Sequence, residues 1–172
     1  MLFSERLQNL QGQEDVISMN LTALARKIIK TNYYMTISTT DGTSPWISPV
    51  FFWNDKNYNF YFVSYTKSKH AKNILKNRKV AAAIFDSHQK PGTGNGVYAK
   101  GTAEILSDKE LLKILPSFWR KHFLNKAEQA KHDLSAKRFS GKSLSKFFRF
   151  APERFWVLDP KDSIGRRVEV KL

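Results

Sequence analysis

Residues 58–76 read Tyr58-Asn-Phe-Tyr-Phe-Val-Ser64-Tyr-Thr66-Lys67-Ser68-Lys69-His70-Ala-Lys-Asn-Ile-Leu-Lys76. An apolar, aromatic run gives way at Ser64 to hydroxyl and basic residues, and Ala71, Ile74 and Leu75 then follow at helical spacing. The pattern predicts a strand, a short loop and a helix over 67–77. At such a junction the first backbone N–H groups of the helix have no internal partner, and the helix dipole favours negative charge. An anion is expected there. Ser64, Thr66 and Ser68 supply hydroxyls and Lys67 and Lys69 supply charge, so phosphate is the natural ligand. The alternative is that Ser68 only caps the helix and the lysines are solvated.

The 172 residues suffice for one domain with a substantial core, and the expectation is a single domain over 1–172 with a loose arm at 1–18 and a helical insertion at 107–146. Thirteen phenylalanines and four tryptophans imply an aromatic-rich interior. The absence of cysteine removes a disulfide framework, a thiolate metal site and a cysteine nucleophile. The first residues carry no basic region followed by an apolar core, and no apolar run has membrane-spanning length, which predicts a cytoplasmic protein without a membrane partner. The net charge of +14 attracts phosphate-bearing ligands, nucleic acid or an anionic surface. Its spread along the chain, without a dense block or recognition motif, argues against a dedicated nucleic-acid partner.

Outward from 58–76, Asn20 is a candidate N-cap, and Leu21, Leu24, Ala25, Ile28 and Ile29 share one face of a helix running to about 31. Strands are predicted at 33–40, at 46–53 across an Asp41-Gly42 hairpin, and at 58–64, forming a meander. Pro49 cannot donate to a ladder, so its strand is expected at an edge, at a bulge or beside a ligand. Val80–Phe85 is a strand whose alanines at 81–83 suit close packing against a helix or a flat ligand, and 97–106 is another. Asp108 to about Asn125 reads as a helix with Leu111, Leu112, Leu115, Phe118 and Trp119 on its apolar face and Pro116 as a kink. Residues 147–158 and 167–172 are the last strands. Strands in hairpin order with helices inserted suggest a mainly β (α+β) fold, an antiparallel barrel with peripheral helices.

The glycines at 92, 94 and 96 lead into a strand, whereas a dinucleotide fingerprint leads into a helix, so that reading is excluded. His70, His88, His122 and His132 have no metal-ligand spacing. Trp46, Trp53 and Trp119 read as core or interface residues. Asp86, Glu104, Asp108 and Asp133 form no acid/base couple, and no catalytic residue is nominated.

Ser44-Pro-Trp-Ile-Ser-Pro-Val-Phe-Phe-Trp53, Ser64-x-x-x-Ser68-Lys69-His70-Ala-x-Asn-Ile, Val80-Ala-Ala-Ala-Ile-Phe85 and Gly96-Val-Tyr-Ala-Lys-Gly101-Thr-Ala-Glu, in this order, resemble the pyridoxamine 5′-phosphate oxidase-like flavin-binding split barrels. The resemblance covers about 20–106 and resumes weakly at Phe150-Ala-Pro-Glu-Arg-Phe-Trp156. It implies an antiparallel split β-barrel, a homodimer, and FMN bound between subunits. Ser64, Ser68, Lys69 and His70 match the residues that hold the FMN phosphate, where the strand–helix junction already placed an anion. Ser48, Pro49, Val50 and Phe51 match the strand bordering the isoalloxazine ring, and Val63 the position before the phosphate-binding hydroxyl. Gly96 and Val97 match the segment that reaches the flavin from beyond the second helix, and Trp156 the late strand that approaches it from the partner chain.

Departures from the oxidases bear on function. They carry an arginine at the position of Ser48, a lysine at that of Trp53 and a glutamine at that of Gly96, and only Arg166 and Arg167 are candidates for their arginine-rich substrate motif. The expectation is an FMN-dependent oxidoreductase using a reduced nicotinamide and a small flat acceptor, and not a pyridoxamine phosphate oxidase. Alternatives are a flavin-binding or stress protein without turnover, or a split barrel for deazaflavin or haem.

Overall fold

The computed structural model describes residues 20–90, 92, 94–122, 135–159, 162 and 165–172. A helix at 20–31 (α1) precedes β1 (Tyr34–Thr40), β2 (Pro45–Phe51), β3 (Trp53–Asn54), β4 (Phe60–Tyr65), α2 (Lys69–Lys76), β5 (Lys79–Phe85), β6 (Gly96–Ile105), α3 (Asp108–His122), a 3-10 turn (Ala136–Arg138), β7 (Ser145–Leu158) and β8 (Arg167–Val170). The strands are ordered β2-β1-β5-β6-β7-β4-β3, with β8 on β7. The chain divides into two compact units: one takes the described residues of Met1–Asn32, Ile84–Tyr98 and Arg154–Leu172, the other those of Tyr33–Ala83 and Ala99–Glu153.

In the larger unit the antiparallel pairing of β4 with β7 sets Phe60 opposite Phe150 and Phe62 opposite Phe148. Both pairs stack, with ring centroids 5.9 and 5.3 Å apart, and all four rings are buried. Side chains alternate along a strand, so Tyr61 and Val63 of β4 and Phe147 of β7 turn to the opposite face. There they meet Leu111, Leu115 and Phe118, which recur on one side of α3, together with Phe139. Phe147 lies 4.8 Å from Phe118 and 4.9 Å from Phe139 in edge-on contacts. Burying each such ring contributes about 1.5–3 kcal/mol, so this two-sided aromatic packing is a main source of the unit's stability.

The turn before β4 is held by one side chain. Asp55 accepts from the Asn57 and Asn59 N–H groups, from Asn59 Nδ2 and from the Tyr61 hydroxyl, at 2.9–3.0 Å. These bonds offset the cost of Tyr58 at φ 57°. Burial and the Asp55 carboxylate push the Tyr61 phenol well above its ordinary range.

Several expectations change. The three predicted strands do pair in succession, but not through one continuous middle strand: Pro45–Phe51 pairs with β1, and past Phe52 only Trp53 and Asn54 pair with β4. Phe52 interrupts the predicted 46–53 strand, and Pro49, which has no N–H to donate, sits on an end strand. Asn20 is already helical. Leu75 and Leu112 are exposed, because Ile74 and Leu111 take the buried positions beside them and neighbours one residue apart lie about 100° apart on a helix. Of the expected helical insertion, 108–122 is one helix running through Pro116, 135–144 holds only the 3-10 turn, and 145–146 already belong to β7. The expected arm at 1–18 and residues 123–134, with His132 and Asp133, lie outside the described residues.

Gly101 on β6 lies tight against the β7 backbone: a Cβ there would clash with the Ala151 carbonyl oxygen and stand 2.7 Å from Pro152 Cα. Gly101→Ala is expected to cost about 3 kcal/mol, since both obstacles are backbone, and chemical denaturation of the variant measures it.

Candidate functional site

Ser64 is the last inward residue of β4, on the same face as Phe60 and Phe62, and it is 8% exposed. The chain then turns through 66–68, where the Thr66 N–H donates to the Leu144 carbonyl (2.7 Å), and enters α2 with Ser68 as N-cap. Ser68 Oγ accepts from the Ala71 N–H at 3.4 Å. Capping uses an oxygen lone pair and leaves the hydroxyl proton for another partner. Three polar groups converge here. Ser64 Oγ lies 2.6 Å from His70 Nε2 and 3.1 Å from Ser68 Oγ, and Ser68 Oγ lies 3.4 Å from His70 Nε2. His70 is half-buried with its ring 6.4 Å from Phe62, and burial lowers its pKa, so the imidazole is neutral at pH 7. Two hydroxyls and an imidazole at the positive end of a helix suit an anion with several oxygens.

Lys69 begins α2, and no acidic residue occurs between Asp55 and Asp86. Its partner comes from the β1–β2 hairpin turn: Lys69 Nζ donates to Asp41 Oδ2 at 3.0 Å. Asp41 Oδ1 accepts from the Thr43 and Ser44 N–H groups at 3.1 and 3.2 Å. The lysine first, and then these backbone bonds, hold the Asp41 carboxyl far below the usual carboxylate range. One turn along α2, buried Asn73 donates to Thr39 Oγ1 at 3.2 Å. Lys69 and Asn73 share a helix face, and Asp41 and Thr39 are two residues apart in the chain, so two polar contacts link α2 to β1 and its turn.

Of the β2 residues expected beside a flavin, Val50 is buried, Pro49 is exposed, Ser48 Oγ accepts from Trp46 Nε1 at 3.0 Å, and Phe51 packs against the α3 core. Val63 packs on that core too, on the face of β4 away from Ser64. Gly96, Val97 and Trp156 belong to the smaller unit, where Val97 is fully buried. Trp156 lies beneath the Arg154 guanidinium at 5.0 Å from the ring centre, and Arg154 Nε donates to Glu169 at 2.8 Å. In the same unit Arg166 pairs with Asp159 (3.2 Å) and Asp162 (3.7 Å), and Arg167 lies over the Tyr98 ring at 4.4 Å. Among the described residues no His, Asp and Glu cluster could hold a metal ion, and no helix is long and apolar enough to cross a membrane.

The family model described as pyridoxamine 5′-phosphate oxidase matches residues 21–159, which include every expected site residue. The chain belongs to that family. As a family member it has the split-barrel fold: mainly β, antiparallel, with helices. Similar solved structures include a haem-binding protein from Mycobacterium smegmatis (17% identity, TM-score 0.62, covering 84% of this chain and 55% of that one). Others are HutZ, the haem storage protein of Vibrio cholerae (14%, TM-score 0.61, 77% and 90%), and a putative pyridoxamine 5′-phosphate oxidase from Listeria innocua (16%, TM-score 0.53, 77% and 93%). This family member thus spans little more than half of the M. smegmatis protein. A search of curated proteins finds no match.

Trp53 lies against the α3 core with its ring 5.3 Å from Tyr61. Asp41 was missed in the sequence. Asp41-Gly42 read only as a turn, and nothing local in the chain joins it to a lysine 28 residues later.

His70 binds protons less readily when folded than when unfolded, so folding stability is lost as pH falls through its ordinary value near 6.5 towards the lower folded value. Between pH 7 and 5 the thermal midpoint should fall more in the unmodified protein than in His70→Gln, which calorimetry across that range can measure.

Proposed function

We propose that this chain binds FMN, with the phosphate at the start of α2 held by Ser64, Ser68, Lys69 and His70. The convergence of Ser64, Ser68 and His70 within 2.6–3.4 Å, in a member of this family, is the observation that carries the reading. The donor set fits a phosphate: the hydroxyls can turn their protons outward, the first N–H groups of α2 add to them, and Lys69 brings charge. The expected neighbours of the ring system are Ser48, Pro49, Val50 and Phe51 on β2, with the backbone at Val63, Gly96 and Val97, and Trp156 of a partner chain.

A bound flavin supplies two-electron redox chemistry, and the chain's own residues bind and orient it. The best-supported activity is an oxidoreductase taking electrons from a reduced nicotinamide and passing them to a small flat acceptor. Pyridoxamine 5′-phosphate is a poor candidate. Ser48 and Trp53 offer no cation, Trp53 belongs to the α3 core, and Arg166 already has two carboxylates. A homodimer accords with the uncharged face that Tyr34, Ile47 and Pro49 present on β1 and β2, where Tyr34 and Ile47 are more than 60% exposed.

The haem proteins among the structural neighbours favour a second reading, in which haem replaces the flavin. The visible spectrum of the purified protein separates yellow FMN from a haem Soret band. Anaerobic NADH or NADPH should bleach a bound flavin if the protein turns over, and leave it unchanged if it only binds.

Ser68→Ala with Lys69→Ala should weaken FMN binding by about two decades with little change in the fold, from the loss of one hydroxyl and one charged donor. Fluorescence titration of FMN, with circular dichroism on the same samples, tests this, and unchanged affinity places the phosphate elsewhere. Light scattering at micromolar concentration should report a dimer with flavin bound; a flavin-loaded monomer contradicts the dimer.

A further inference from the structure

The cradle at the start of α2 is less cationic than its sequence suggests. Its imidazole is neutral, and the Lys69 ammonium already touches a carboxylate. That carboxylate is built in. Asp41 is fixed in the hairpin turn by the Thr43 and Ser44 N–H groups, its turn is carried by the β1–β2 ladder down to the Thr40–Pro45 pair, and Gly42 at φ 99° lets the chain close around it. The helix is fixed from its own side by the buried Asn73–Thr39 bond. A chance surface pair lacks such supports, and here the carboxylate and the helix that carries Lys69 are both fixed in place.

We propose that Asp41 is a built-in competitor for the ligand's phosphate at Lys69, so that this acidic residue of the β1–β2 turn sets how tightly the site holds a phosphorylated ligand. The inference rests on the reading of the α2 start as the phosphate site. An ammonium has three protons, and one is committed to Asp41 Oδ2. A phosphate approaching Lys69 therefore meets a partly used donor and a negative charge about 3 Å from it, which repels a dianion more than a monoanion. The carboxylate thus acts on affinity and on ligand charge together, weakening dianionic phosphomonoesters most. Ligands without a phosphate are untouched by it.

Asp41→Asn isolates the effect. The amide oxygen can still accept from Thr43 and Ser44, so the turn survives while the negative charge goes. FMN and riboflavin are titrated by fluorescence, at low salt, into the unmodified protein, Asp41→Asn, Lys69→Ala and the double variant, with thermal midpoints recorded for each. FMN should bind Asp41→Asn about tenfold more tightly than the unmodified protein, the gain should shrink below about threefold when Lys69 is absent, and riboflavin affinity should not change. Equal or weaker FMN binding by a folded Asp41→Asn overturns the inference while leaving the FMN reading intact. An equal gain for riboflavin overturns it as well. If no variant binds FMN, the proposed function fails, and the Asp41 inference is read from the thermal shift induced by inorganic phosphate. A larger shift for Asp41→Asn than for the unmodified protein supports it, and equal shifts overturn it.

Discussion

The register of β4 against β7 is the constraint on which the larger unit depends. Phe60 and Phe62 stack on Phe150 and Phe148 on one face, while Tyr61, Val63 and Phe147 enter the α3 core on the other. Slipping β4 by one residue would exchange these faces, turning Ser64 outward and placing Tyr65 where the serine now meets Ser68 and His70. The aromatic core and the polar cluster are thus consequences of one alignment. Asp55 secures that alignment at its start by binding the turn and the Tyr61 hydroxyl, and the Thr66–Leu144 bond secures it at the end.

Electrostatics in the larger unit follow a common pattern, in which cations at functional or packed positions are matched by acids from distant segments. Lys69 meets Asp41, and Arg149 meets Glu104 and Glu110, with Arg78 also on Glu104. The net charge of +14 therefore overstates the positive potential at these places. At the start of α2 this leaves hydroxyls, backbone N–H groups and a neutral imidazole as the principal donors, with charge supplied by a lysine shared with a carboxylate. The anion proposed there would be recognised by hydrogen-bond geometry at least as much as by charge.

The sequence alone determined most of the strands and helices and the junction between β4 and α2, where the anion site is proposed. Local patterns carry that information: the abrupt change from Phe60–Val63 to Ser64–His70 marks a strand end and a helix cap, and the order of short motifs across 44–104 pointed to the family that the model match over 21–159 shows. What only the tertiary structure decided depends on pairings between distant residues. A hairpin-rich sequence reads as a meander because adjacent strands usually pair, yet the middle strand breaks at Phe52, its first part pairing with β1 and Trp53–Asn54 with β4. Periodicity assigns a helix a broad apolar stripe and does not say where its edges fall, so Leu75 and Leu112 were placed inside. Asp41 took its meaning from a lysine 28 residues away, and Trp53 and Val63 from the side of the sheet that α3 covers. A side chain's type is local; what it faces is set by which strands pair, and that is a property of the whole chain.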